Sequence, residues 1–131
     1  MDEKTKRSRD KSIVDTYFAT AREMRQRGLF PETGELISVV AKSGAPRFYV
    51  DYESARRVIS LMDRGIESRT RNANKRQMYR DLYKLFLEQR ASSGEPGYLA
   101  LLSTLSGPAP SFYLSESTMR TIIYRGIKNG L

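Results

Sequence analysis

"APRFYV" at residues 45–50 and "APSFYL" at residues 109–114 state one phrase twice, 64 positions apart in a chain of 131 residues. Proline disfavours the α conformation in the residue before it, and a Phe-Tyr-apolar triplet favours an extended backbone. Each phrase is therefore read as a short extended segment, with Phe48 and Val50 pointing one way and Tyr49 the other. A polar residue suited to an N-cap follows each phrase, Asp51 in the first case and Ser115 in the second. Beyond the caps the apolar residues recur at helical spacing: Ala55, Val58, Ile59 and Met62, then Met119, Ile122 and Ile123. Val50 with Ala55, and Leu114 with Met119, occupy the positions of a hydrophobic staple.

The likeness extends upstream. Ile13, Val14, Tyr17, Phe18, Ala21 and Met24 predict a long amphipathic helix capped by Ser12 and ended by Gly28, and "ELISVVAKSG" predicts a short buried one. In the second half, "NKRQMYRDLYKLFLEQRASSG" predicts the long helix and "EPGYLALLSTLSG", opened by Pro96, the short one. The order long helix, short helix, Pro-x-Phe-Tyr, cap, amphipathic helix thus occurs twice, with upstream loops that differ by a residue or two. The expected fold is all-α, with two tandem trihelical, helix-turn-helix-like units related by internal duplication. They would share one core, since units of about 60 residues bury little surface alone. A minimal two-stranded ribbon is expected where the two extended segments meet. The expected divisions are a basic flexible tail at 1–11, a first unit at 12–65, a basic linker at 66–74 and a second unit at 75–131.

Composition restricts function more than it defines it. Without cysteine or histidine there is no disulfide framework, no thiolate, no Ser-His-Asp triad and no common zinc site. Phosphate loops, dinucleotide fingerprints and calcium loops are absent as well, so neither catalysis nor a cofactor or metal is expected. The polar start "MDEKTKRSRDKS" leads into no apolar run, and no stretch is long enough to span a bilayer, so a cytoplasmic protein is expected. The net charge of +8 favours polyanionic partners.

That charge is unevenly placed. With Val58, Ile59 and Met62 inward, the third helix turns Glu53, Arg56, Arg57, Ser60 and Arg64 outward; 64 residues on stand Ser117, Arg120, Thr121, Tyr124 and Lys128. Cationic and hydrogen-bonding side chains behind an N-cap suit a recognition helix, in which Arg reads guanine and Ser, Thr or Lys reaches phosphate. The segment 64–80 carries Arg64, Arg69, Arg71, Lys75, Arg76 and Arg80 against the single acid Glu67, and suits a phosphate backbone. The expected nucleic-acid-binding residues are therefore Arg56, Arg57, Arg64, Arg69, Arg71, Lys75, Arg76, Arg120 and Lys128, with DNA preferred to RNA and no membrane role. One departure from a helix-turn-helix is plain: residues 43–51 separate its second and third helices, where that motif has a turn of about three or four. The competing expectation is a structural or assembly protein whose basic face meets an acidic protein or a second copy. Phe48 and Phe112 are expected in the core, a structural role preferred to the alternative in which Tyr49 and Tyr113, facing away from them, are exposed and stack on bases.

The phrase "APRFYVDYESARRVISLM", with its weaker echo "APSFYLSESTMRTIIY", resembles phrases in uncharacterised small basic helical proteins of gut bacteria and their phages. The likeness covers the motif and the helix after it. It implies a phage or mobile-element setting and brings no assigned activity or site.

Overall fold

The computed structural model describes residues 1–129; Gly130 and Leu131, expected in the second unit, lie outside the described residues. The described chain is all-helical, with α1 Glu3–Gln26, α2 Thr33–Ala41, α3 Tyr52–Asp63, α4 Ala73–Ser93, α5 Gly97–Ser106 and α6 Glu116–Asn129. The first eleven residues, read as a flexible tail, are helical from Glu3, nine positions ahead of the cap expected at Ser12. Asp2 caps this helix, accepting the Thr5 N–H at 2.7 Å, and Lys11 pairs with Asp15 one turn on at 2.8 Å. A good cap and i,i+4 pairing extend a helix whose later turns are already anchored in a core. The linker is shorter than expected on its far side, because Asn72 caps α4 by accepting the Lys75 N–H at 3.1 Å.

The buried positions recur at fixed intervals. In α1 they are Ile13, Val14, Tyr17 and Ala21; in α4 they are Met78, Tyr79, Leu82 and Phe86, each 65 residues later. Leu36, Ile37 and Val40 of α2 correspond at 64 residues to Ala100, Leu101 and Thr104 of α5, as Ala55 and Ile59 of α3 do to Met119 and Ile123 of α6. All of them except Thr104 belong to one continuous apolar cluster. Phe18 and Val39, expected inside, are 38% and 40% exposed, because the buried stripe on each helix is narrower than its run of apolar residues.

The helices do not pack in chain order. α1 and α2 pack on each other and on α6, while α4 and α5 pack on each other and on α3. Among the described residues α3 therefore makes no packing contact with α2, and the helix-turn-helix pairing expected within each half is not formed. The cause is the route of the two connectors, residues 42–51 and 107–115, which cross between the clusters and deliver each third helix to the opposite half.

At the crossing Ala45 and Ala109 form one isolated antiparallel bridge, each donating its N–H to the other's carbonyl at 2.9 Å. The ribbon expected there amounts to this single pair. Pro46 and Pro110 follow at once, and proline has no N–H to extend a ladder. Beyond the prolines the aromatic rings stack reciprocally, Phe48 on Tyr113 and Tyr49 on Phe112, both with centroids 6.2 Å apart. Phe48 and Phe112 are buried, as expected.

α1 and α6 approach so closely that Gly126 has no room for a side chain: a Cβ there would collide with Val14 Cγ2. Val14 is fully buried and cannot yield easily. Gly126→Ala should destabilise the fold by about 1–2 kcal/mol, overpacking outweighing the gain in helix propensity. Gly34→Ala in α2, where nothing lies within 4 Å of the new methyl, should be neutral or stabilise by up to about 1 kcal/mol. Urea unfolding of the two variants checks both signs.

Candidate nucleic-acid interface

Three local devices present the cations of α3 and the segment after it. Asp51 caps α3 through the Ser54 N–H at 2.9 Å, a bond that holds the Asp51 carboxyl below its ordinary value. Ala55 and Ile59 are buried and Val58 and Met62 partly so, which leaves Glu53, Arg56, Arg57, Ser60 and Arg64 along one exposed stripe. The helix then stops at Gly65, whose φ of +80° suits glycine and few other residues. Its N–H reaches the Met62 carbonyl at 2.9 Å, and the Ile66 N–H reaches that of Leu61 at 2.9 Å, closing a Schellman turn. Arg64, at the C-cap, is thereby turned to solvent.

The expected residues separate by their partners. Arg56 is bound to Glu53 at 2.9 Å, and Arg120 lies 3.9 Å from Glu116, which also accepts a hydrogen bond from Ser38 at 2.6 Å. Arg80 pairs with Glu67, the one acid of the basic segment, at 3.1 Å. Arg76 is half-buried and donates to the Thr70 carbonyl at 2.9 Å, tying the linker to α4. Arg57, Arg64, Arg69, Arg71, Lys75 and Lys128 are exposed and have no carboxylate partner among the described residues.

Two of these meet. Arg57 of α3 and Lys75 of α4 line one open groove of about 270 Å³, together with the hydroxyl-bearing residues Ser68 and Thr70 of the linker. Ser54, Lys75 and Tyr79 continue from this groove into a cleft of about 200 Å³ between the two three-helix clusters. The connectors contribute Tyr49 and Phe112 to that cleft, and α1 contributes Arg9. Arg120 and Lys128 stand apart from both cavities, on the helix that packs with α1 and α2.

Sequence reasoning missed Arg9, Ser54, Ser68, Thr70 and Tyr79. Nothing in the local pattern marks Arg9, since its place depends on α1 running back to Glu3 and on the connectors crossing beside it. Surface stacking by the repeated tyrosines is not available. Tyr49 is 7% exposed, and Tyr113 is half-buried with its hydroxyl donating to Asp81 at 2.6 Å.

Tyr113 is also the one non-glycine residue with positive φ among the described residues, at +57°. The stacked Phe48 ring and the Asp81 bond hold it in a conformation that costs on the order of 1–3 kcal/mol. Compared with protein-family models, with curated proteins and with solved structures, the chain matches none.

Burial, with the Asp81 hydrogen bond second, pushes the Tyr113 hydroxyl well above its ordinary range. Its protonated form is the one the fold favours. Its contribution is therefore whole below about pH 10, where an unfolded tyrosine titrates, and is lost as pH rises above that. Tyr79 and Tyr83 are displaced the same way, Tyr79 chiefly by burial and Tyr83 chiefly by its bond to Asp63. Tyr113→Phe should cost about 1–2 kcal/mol at neutral pH and make the fall in stability above pH ~10 shallower, without abolishing it. Unfolding midpoints measured across alkaline pH check this.

Proposed function

We propose that the protein binds nucleic acid without catalysis, double-stranded DNA in preference to RNA, in the cytoplasm. The observation that carries this reading is the run of exposed cations after α3. Arg64, Arg69, Arg71 and Lys75 lack carboxylate partners among the described residues, and Arg57 lines one groove with Lys75. Unpaired cations close together on one segment favour a phosphate backbone, where neutralising each phosphate releases a counterion. Arg76 positions the segment through its bond to Thr70. Arg56 and Arg120 act as groove readers once they leave Glu53 and Glu116, which costs little because exposed ion pairs are worth about 0–1 kcal/mol. Lys128 adds a further phosphate contact at the end of α6.

We also infer that the two halves descend from one module of about sixty residues. The reciprocal ring stacks, the pairing of Ala45 with its counterpart Ala109 and the matching buried positions support this. The units of the duplicated fold are then three-helix clusters that have exchanged their third helices.

A second reading has its own observation. Tyr98, Leu99 and Leu102 lie on one side of α5 and are 59%, 37% and 44% exposed. Gly34, Glu35 and Ser38 occupy the corresponding places in α2. An exposed apolar face on α5 that α2 lacks at the corresponding positions favours a protein partner, as an assembly component of a phage or mobile element would need.

Duplex DNA binding, followed by gel shift from low to moderate salt, tests the first reading. Affinity should fall steeply with salt. Replacing Arg69, Arg71, Lys75 and Arg76 with Ala should reduce the log–log slope by roughly 3–4. Absence of any shift at low salt overturns the reading. Leu102→Asp should leave DNA binding unchanged and abolish self-association or partner capture under the second.

A further inference from the structure

The cleft and the groove differ in chemistry although they share a wall. The cleft holds about 200 Å³, below the ~300–1,000 Å³ of pockets that take whole drug-sized ligands, so it suits a single ring system. Tyr49, Tyr79, Phe112 and Tyr113 line it among apolar, polar and charged residues, and each, being buried or half-buried, offers only part of its ring to the cavity. Its charges are mixed, for Met1 lines it and the α-ammonium there lies near enough to Asp51 to help keep that carboxyl ionised. Arg9 is already held by Asp10 through Nε at 3.1 Å and Nη2 at 2.9 Å. Asp51 is an ionised acceptor that repels phosphate and can receive the N–H groups of a base edge. A free side-chain cation stands where the two cavities join, for Lys75 has no carboxylate partner among the described residues and lines both. From Lys75 the groove continues past Arg57, Ser68 and Thr70, a succession of cations and hydroxyls suited to consecutive phosphates.

An apolar slot for one ring that opens onto a cationic track has the shape of one nucleotide in a strand. We infer that the cleft receives a single unpaired nucleotide of the bound nucleic acid. Its base lies among Tyr79, Phe112 and Tyr113, and its phosphate lies at Lys75 with the adjoining strand along Arg57. The inference rests on the nucleic-acid reading for the class of its ligand. It adds a position where a frayed, terminal or flipped-out base is held, made of both clusters and both connectors. A lone small anion would leave the groove without a role, so the polymer is the better fit.

The test is equilibrium dialysis of the full chain at low salt against each of the four deoxynucleoside 5′-monophosphates and against inorganic phosphate. Gel shifts with duplex DNA run alongside. Leu114, which lines the cleft and not the groove, is changed to Trp to fill the cleft, with circular dichroism to verify folding. At least one nucleotide should bind roughly tenfold or more tightly than phosphate, the gain expected of one base against aromatic rings. Leu114→Trp should remove that gain while leaving duplex affinity within about twofold, whereas Lys75→Gln should weaken both kinds of binding. If Leu114→Trp does not fold, amide shifts in the unaltered protein decide. A nucleotide should perturb Ser111 and Phe112, which line the cleft and not the groove, and phosphate should not. Nucleotides no tighter than phosphate, or an unfilled and a filled cleft that bind them equally, overturn the inference. With duplex binding intact, that result leaves the surface reading standing; with no duplex binding at low salt, both fall.

Discussion

Ala45 and Ala109 exchange two backbone hydrogen bonds at the point where the chain crosses itself, and the rings of Phe48 and Tyr49 stack on Tyr113 and Phe112 beside them. This contact decides where every later helix goes. A connector that stayed on its own side would lay α3 on α1 and α2. Two connectors that cross send α3 to α4 and α5, and α6 to α1 and α2. The prolines limit the backbone pairing to one bridge, so ring stacking and burial hold the crossing together. Because every buried apolar residue joins one cluster, neither half can complete a core alone.

The crossing also makes the surface features composite. The cleft is lined by residues of α1, of α3 and α4, and of both connectors. A change at Tyr113 or Asp81 therefore acts on the cleft as well as on the core. Tyr113 holds a left-handed backbone conformation there because the ring stack and the Asp81 bond together outweigh its cost. Tyr49, its counterpart in the other connector, has no positive φ, so the two connectors are alike in their contacts and differ in their strain.

Charge follows the same division between local and composite. Seven ion pairs exist among the described residues, and most join neighbours within one or two helical turns. Such pairs contribute little to stability but remove cations from competition for an outside anion. Of the residues expected to bind nucleic acid, Arg56, Arg76 and Arg120 are engaged, while the exposed linker arginines and Lys75 are not. The strongest field is therefore expected near the start of α4, not spread along both third helices.

Much of this was legible along the chain, because helices are written in short intervals. Apolar spacing located six helices, Asp51 marked the start of α3, Gly28 ended α1, and the doubled phrase marked the two connectors. Helix onset was less legible where polar residues such as Lys6 and Arg9 are compatible with either a tail or an anchored helix. Local pattern and composition determined which segments are helical, which faces are apolar and where positive charge accumulates, since each depends on residues within a few positions of one another. Which helices pack together, which arginines find a carboxylate and what lines the cleft were decided only by the tertiary structure. Those outcomes depend on two segments 64 residues apart meeting at one point, and no interval read along a single strand of sequence contains that meeting.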